Sequence, residues 1–316
     1  MTPVIEVQNL KKYFQTPRGL LHAVDDVTFT IEAGKTLGVV GESGCGKSTL
    51  GRTIIHLHES TAGKIFLEGQ DVTKVSGKAL KQAREKMQII FQDPYSSLDP
   101  RKSIDSTIRE PLAVSGRFSK PEIEDRTKQL MELVGIDERL QKAYPHELDG
   151  GRRQRVGIAR ALALDPKFVV CDEPVSALDV SIQAQVLNLL KKLQMDHGLT
   201  YMFVTHDMSV VRHISDDICV MYLGQVVEKC SAKELFKAPM HPYTKALLSA
   251  IPSVDIHHPT KREILKGELT SPINPQPGCR FAARCPYAGE ACHQAQKQEE
   301  VSKGHFVTCC RVHEVN

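Results

Sequence analysis

An α/β fold with a mainly parallel sheet covered by helices is what this chain predicts, on three observations. Short, continuously apolar runs occur at Thr36-Leu37-Gly38-Val39-Val40, Phe168-Val169-Val170-Cys171 and Tyr201-Met202-Phe203-Val204. Such runs suit strands buried on both faces of a sheet, where no side chain meets water. Helical patterns separate them, and strands alternating with helices imply parallel crossovers. The first run also ends in a glycine-rich loop that opens a helix.

Taken in order, Val4-Ile5-Glu6-Val7 alternates like an opening strand, and Val27-Thr28-Phe29-Thr30-Ile31 reads as a second. The stretch from about Lys81 to Leu164 is expected to be mostly helical. Glu122 to Val134 carries Ile123, Leu130, Met131, Leu133 and Val134 roughly on one face. This portion interrupts the strand–helix alternation and reads as a helical subdomain over about residues 90–165. A helix from Ser181 to His197 separates the last two buried strands. A boundary is placed near Lys237, after which Pro239, Pro242, Pro252, Pro259, Pro272, Pro275 and Pro277 favour an irregular extension over a second large core. The expected division is therefore 1–237 for the main domain and 238–316 for the extension.

The composition narrows the function classes. With 41% hydrophobic and 25% charged residues, the 316-residue chain is ordinary for a globular protein. Its 41 basic and 38 acidic residues leave a formal charge of +3, too balanced to announce nucleic-acid binding, and no nucleic-acid partner is expected. No run reaches the roughly 18 to 20 apolar residues of a membrane span. Met1 to Leu10 contains Glu6 and Gln8 and lacks the apolar run of a secretory signal, so a cytoplasmic location is expected.

Gly41-Glu42-Ser43-Gly44-Cys45-Gly46-Lys47-Ser48 fits G-x-x-x-x-G-K-[ST] between a predicted strand and a predicted helix, the context the motif requires. Glycines let the backbone wrap phosphate oxygens, and N–H groups at the helix start face the anion. Lys47 supplies a positive charge to the β- and γ-phosphates, and the Ser48 hydroxyl suits Mg²⁺. Gly41, Ser43, Gly44, Cys45, Gly46, Lys47, Ser48 and Thr49 are thus candidates for nucleotide binding. The strand Phe168 to Cys171 ends in Asp172-Glu173. Beside a phosphate loop, Asp172 suits Mg²⁺ held through water, and Glu173 suits orienting or deprotonating an attacking water.

Leu148-Asp149-Gly150-Gly151-Arg152-Arg153-Gln154-Arg155 resembles the L-S-G-G-Q signature of the ABC ATPases, a P-loop NTPase family that adds an antiparallel β region and a helical subdomain to the parallel core. Other family elements follow in the expected order. The resemblance implies that Tyr13 stacks on adenine, and that Gln92, in Phe91-Gln92-Asp93-Pro94, senses Mg²⁺ and nucleotide and touches membrane subunits. It implies that Ser176-Ala177-Leu178-Asp179 crosses a dimer interface and that His206 contacts the γ-phosphate. Asp149, Gly150 and Gly151 would meet the nucleotide bound by a second subunit. Glu173, His206 and Gln92 are then the catalytic candidates, Ser48 and Gln92 the Mg²⁺ ligands.

Two positions depart from the signature: Asp149 replaces its serine and Arg152 its glutamine. An ionised aspartate accepts hydrogen bonds but cannot donate one to phosphate. It can cap its own helix. The expectation is asymmetry, with the partner site completed by this signature hydrolysing ATP less well.

Two longer segments, FQDPYSSLDPR from Phe91 and HPYTKALLSAIP from His241, resemble the ATPase subunits of dipeptide, oligopeptide and nickel importers. That resemblance implies two transmembrane permease subunits, pairing with a related second ATPase chain or with a second copy of this one, and an extracytoplasmic solute-binding protein. It implies work at the cytoplasmic face of the membrane, with di- or oligopeptide as solute and nickel or another solute as the alternative. A non-transport ABC ATPase acting on DNA or ribosomes would carry coiled-coil insertions or two cassettes, and neither is seen. A module that binds ATP without hydrolysing it fits poorly with Lys47, Asp172, Glu173 and His206 all in place.

Five of the nine cysteines, Cys279, Cys285, Cys292, Cys309 and Cys310, crowd into the last 38 residues. In a chain expected to be cytosolic, such crowding reads as metal or redox chemistry before disulfides. Four thiolates suit a 4Fe-4S cluster or a tetrahedral zinc. The importer family shows a similar pattern that holds a 4Fe-4S cluster in some members, which puts Cys279, Cys285, Cys292 and Cys309 forward as ligands. Zinc and unliganded cysteines stay open, as does Cys310 in place of Cys309.

Overall fold

The computed structural model describes residues 2–251, 265, 267 and 271–316, so Pro252 and Pro259 lie outside the described residues. The chain divides into two compact units, one made of residues 1–5, 31–35 and 67–202, the other of 6–30, 36–66 and 203–316.

In the first unit the strands Met87–Ile90 and Phe168–Asp172 run parallel, in register from Met87 opposite Phe168 to Ile90 opposite Cys171. All five residues of Phe168–Asp172 are buried, which is why the run from Phe168 to Cys171 is continuously apolar. The strand Met87–Ile90 lies within the stretch from Lys81 to Leu164 that was expected to be mostly helical. Those four residues follow the helix Gly77–Lys86 without a break, and ladder pairing with a distant strand decides their conformation.

In the same unit the helices Ile104–Ser115, Lys120–Leu133 and Gly150–Leu162 pack on one another. Ile104, Ile108 and Leu112 supply the buried face of the first, Leu130 and Met131 that of the second, Val156 and Ile158 that of the third. The Ser103 hydroxyl caps the first helix by accepting from the Ser106 N–H, and Gly116 ends it at a φ of 71°. Ser119 and Glu122 form a capping box that starts the second at Lys120, two residues ahead of the expected Glu122. The helix Val180–His197 is close to its expected span.

In the second unit the order across one sheet is Glu299–Ser302, His305–Val307, Gln225–Ser231, Asp217–Tyr222, Thr36–Val40. Thr36–Val40 lies parallel to Asp217–Tyr222, and the outer pairings are antiparallel. A separate sheet places Ile5–Thr16 between Gly19–Ile31 and Ala62–Leu67.

The described residues beyond Lys237 hold more regular structure than the prolines there suggest. His241 caps the helix Pro242–Ser249, and the hairpin Glu299–Val307 continues the sheet beyond Gln225–Ser231. The hairpin was hidden because only His305 and Val307 of its two strands are buried, so the pattern carries no clear alternation. What holds it is a buried contact: His305 Nε2 lies 2.7 Å from Glu228 Oε1 on the neighbouring strand. Among the described residues, no helix is long and apolar enough to cross a membrane.

Candidate nucleotide site

The second unit presents Tyr13, the phosphate loop and His206. The strand Thr36–Val40 delivers the loop, and the helix Lys47–Ile54 leaves it. Two glycines are required here. Gly41 and Gly46 have φ of 152° and 105°, and a Cβ on either would collide with backbone, the Met221 carbonyl for Gly41 and the Ala23 carbonyl for Gly46. Gly44, at a φ of 78°, has open space beside it. Lys47 is 4% exposed, and its ammonium donates to the carbonyls of Gly41 at 2.8 Å and Glu42 at 3.0 Å. It therefore spans the mouth of the loop, where an anion with better acceptors would take over its donors. Burial pushes the Cys45 thiol up, so at neutral pH it is a neutral wall of the loop. Ser48 and Thr49 occupy the first turn of the helix, half-buried.

Tyr13 stacks on His22, with ring centroids 3.9 Å apart, and its hydroxyl donates to Asp25. Burial and that hydrogen bond raise the Tyr13 hydroxyl above its ordinary range. His206 follows the strand Thr200–Val204 and is exposed; the next residue, Asp207, caps the helix Met208–Ile214.

The first unit presents the acids, Gln92 and the signature. Asp172 is fully buried at the end of its strand. Glu173 has a φ of 47°, a left-handed conformation that costs a non-glycine residue about 1–3 kcal/mol. The Gln92 amide donates to the Glu173 carboxylate at 3.1 Å. Two of the three catalytic candidates, 81 residues apart in sequence, are thus brought together. The Ser176 N–H and hydroxyl both bond the Glu173 carbonyl, and Asp179 caps the helix Val180–His197 through the Ile182 N–H at 3.0 Å. In the signature, Asp149 accepts from the Arg152 N–H at 2.8 Å and so caps the helix Gly150–Leu162. A Cβ on Gly151 would stand 2.6 Å from the Ile182 side chain, so the two helix starts touch where glycine is the residue that fits.

Cys279, Cys285, Cys292 and Cys309 line one small cavity, whereas Cys310 is not part of its wall. Burial pushes the Cys279 thiol up to about 12 and raises Cys285 and Cys309. Sequence reasoning missed the arginines between the first two cysteines. Arg284 donates to both oxygens of Glu42, at 2.6 and 3.1 Å, and Arg280 donates to Asp25 and to the Leu223 carbonyl. The only trace of them in the sequence is two basic residues in an otherwise apolar Phe-Ala-Ala stretch.

Residues 24–176 match the family described as ABC transporter, and residues 227–292 match the oligopeptide/dipeptide transporter C-terminal region. The chain is 48% identical to the oligopeptide transport ATP-binding protein AppF of Bacillus subtilis, over 97% of this chain and 96% of that protein. It is 49% identical to OppF of Salmonella typhimurium, over 97% and 93%. Among solved structures, it resembles cbiO1 from Clostridium perfringens, part of the ABC transporter complex cbiONQ. That likeness has a TM-score of 0.67 and 28% identity, covering 75% of this chain and 92% of that one. The ATP-binding cassette MJ0796, solved as a dimer with ADP and Pi, matches with a TM-score of 0.66 and 29% identity, over 72% and 98%. On these matches the chain belongs to the ATP-hydrolysing subunits of ABC transporters, in the branch that carries the oligopeptide/dipeptide C-terminal region.

Proposed function

We propose that this subunit powers the import of di- or oligopeptides. The observation that carries the reading is the C-terminal match over residues 227–292 on a chain with a formed phosphate loop. In this reading residues 1–237 are the ATPase domain, with a helical subdomain over about 90–165, and residues 238–316 the importer-type extension. The chain works at the cytoplasmic face beneath two transmembrane permeases, pairs with a related ATPase subunit, and serves an extracytoplasmic binding protein that delivers the solute.

Lys47 and the N–H groups of Ser43, Gly44, Cys45, Gly46, Ser48 and Thr49 hold the phosphates, and Tyr13 offers its ring to the base. Ser48 and Gln92 would ligate Mg²⁺, and Asp172 would reach it through water; these are the hard oxygen donors that Mg²⁺ takes, and the bound ion would supply positive charge to the phosphates. Glu173, steered by the Gln92 amide, takes the proton of the attacking water, and His206 contacts the γ-phosphate. Gly150 and Gly151 offer helix-start N–H groups to the nucleotide of the second subunit. Asp149, engaged as a cap and paired with Arg152, offers no donor to that nucleotide, which supports slower hydrolysis at that site.

The four cysteines facing one cavity support a 4Fe-4S cluster held by Cys279, Cys285, Cys292 and Cys309. A single zinc, with Zn–S bonds of about 2.3 Å, would draw its sulfurs to about 3.8 Å apart. Among the described residues, no three of the C-terminal sulfurs lie all within 4.8 Å of one another, although Cys292 Sγ and Cys310 Sγ are 3.9 Å apart. The modest role assigned to the cluster is stability or regulation.

The test is recovery of the chain from its native membrane in detergent, followed by peptide and nickel uptake in cells lacking it. Two multi-spanning subunits, a second ATPase and loss of peptide uptake are expected. Recovery with soluble proteins or nucleic acid alone refutes the transport reading, and loss of nickel uptake alone refutes the solute.

A further inference from the structure

We propose that Arg284 is a positioning residue for ATP: it neutralises the Glu42 carboxylate inside the phosphate loop and so keeps the loop receptive to phosphate. The proposal rests on the reading of Gly41 to Ser48 as the phosphate site.

Glu42 is the second residue of that loop and carries a negative charge where a polyanion must bind. Its side chain is 29% exposed, and Arg284, whose side chain is only 9% exposed, meets its carboxylate with a bidentate pair. The Glu42 backbone is held as well, since its N–H donates to the Tyr243 hydroxyl at 2.8 Å. Tyr243 belongs to the buried helix Pro242–Ser249 and packs edge-on against Tyr222, whose hydroxyl also accepts from Arg284 at 3.5 Å. Both restraints come from residues beyond Lys237.

A second contact of the same kind stands beside it. Arg280, four residues earlier, meets Asp25, the acceptor of the Tyr13 hydroxyl. Burial alone would raise the Asp25 carboxyl, but the hydrogen bond from Tyr13 and the charge of Arg280 hold it below the ordinary range. One short segment thus compensates one carboxylate in the phosphate loop and another behind the expected base-stacking ring. In most of the chain, arginine–carboxylate pairs are exposed and worth little. Here the arginines are nearly buried, and an isolated carboxylate left behind would repel an incoming phosphate in a medium of low dielectric.

The experiment uses the full chain and Mg²⁺-ATP. Arg284→Met keeps the stem and removes the charge; it is expected to weaken ATP binding about tenfold, with the loss in KM rather than kcat. Arg284→Lys is expected to keep most of the affinity. Glu42→Gln added to Arg284→Met is expected to restore binding, because it removes the charge that was left uncompensated. A merely structural pair would instead lower the melting temperature of the nucleotide-free chain and show no such rescue. Unchanged binding in Arg284→Met, or a loss that Glu42→Gln does not relieve, overturns the proposal. If Arg284→Met is not recovered folded, Glu42→Gln alone decides: binding at least as tight as the parent supports it, and weaker binding overturns it. Lys47→Ala runs alongside, since undiminished binding there would overturn the phosphate-site reading itself.

Discussion

Replacing Glu228 with alanine should unfasten the C-terminal hairpin. The carboxylate is fully buried and accepts from the Met240 N–H at 2.8 Å, the His241 N–H at 2.9 Å and His305 Nε2 at 2.7 Å. Glu228→Ala strands two buried backbone donors at about 1–3 kcal/mol each, so a local loss of about 2–6 kcal/mol is expected before the histidine is counted. The ladder Glu228 opposite Val307 and Lys229 opposite Phe306 should then open more often than the rest of the sheet. The assay is hydrogen exchange read on the segment 299–312, with the buried strand Phe168–Asp172 as the internal reference. A loss of 2 kcal/mol speeds exchange about thirtyfold. Acceleration below about threefold, or equal acceleration in both segments, would refute the reasoning. Acid provides a second check on the same group. Burial alone would raise the Glu228 carboxyl, but hydrogen bonds from His305 and from the backbone of Met240 and His241 hold it below the usual range. A depressed folded pKa means stability that is present above the unfolded value of about 4.3 and is lost as pH falls through the folded one. The hairpin should therefore loosen below about pH 4 in the parent, and the variant should lack that transition.

Glu173→Gln should abolish turnover while leaving ATP bound, measured as retained nucleotide after rapid gel filtration; normal turnover would remove Glu173 as the base. Gly46→Ala should destabilise the phosphate loop by several kcal/mol, on the order of 3 or more, because the new Cβ meets the Ala23 carbonyl at a left-handed φ. Its nucleotide-free melting temperature tests this, and an unchanged value would refute it. Asp149→Ser keeps the cap and restores a donor, so total ATPase activity should rise in the assembled pair of subunits; unchanged turnover would count against the asymmetry. Burial depresses His241 to about 4, so the folded chain refuses a proton that the unfolded chain accepts below about pH 6.5. Stability should fall by up to about 3 kcal/mol as pH drops from 6.5 to 4, and His241→Gln should flatten that slope in melts across the range.

The parallel core was legible because burial on both faces writes itself as unbroken apolar runs, as at Phe168 to Cys171. The phosphate loop was legible because its glycines answer to backbone geometry at Gly41 and Gly46, which no other residue meets. Helix starts were legible where serine or aspartate caps them, and Asp149 could be named as a cap from its chemistry alone. Met87–Ile90 was not, because its strand identity lies in a partner 81 residues away. Nor were Arg280, Arg284, Asp25 and Glu42. A basic residue in a proline-rich tail looks like a solvated charge, and only the folded chain brings it to an acid some 240 residues earlier.

The hairpin Glu299–Val307 also settles what kind of border the sheet has. Without it, Gln225–Ser231 would present a row of open N–H and C=O groups flanked by Val226 and Val227. Such a border is a template for pairing with any extended chain in a crowded cell. The hairpin therefore acts as a selvedge. A shortened version ending near residue 298 would expose an adhesive rim, and its failure would show as self-association in solution before any change in its chemistry.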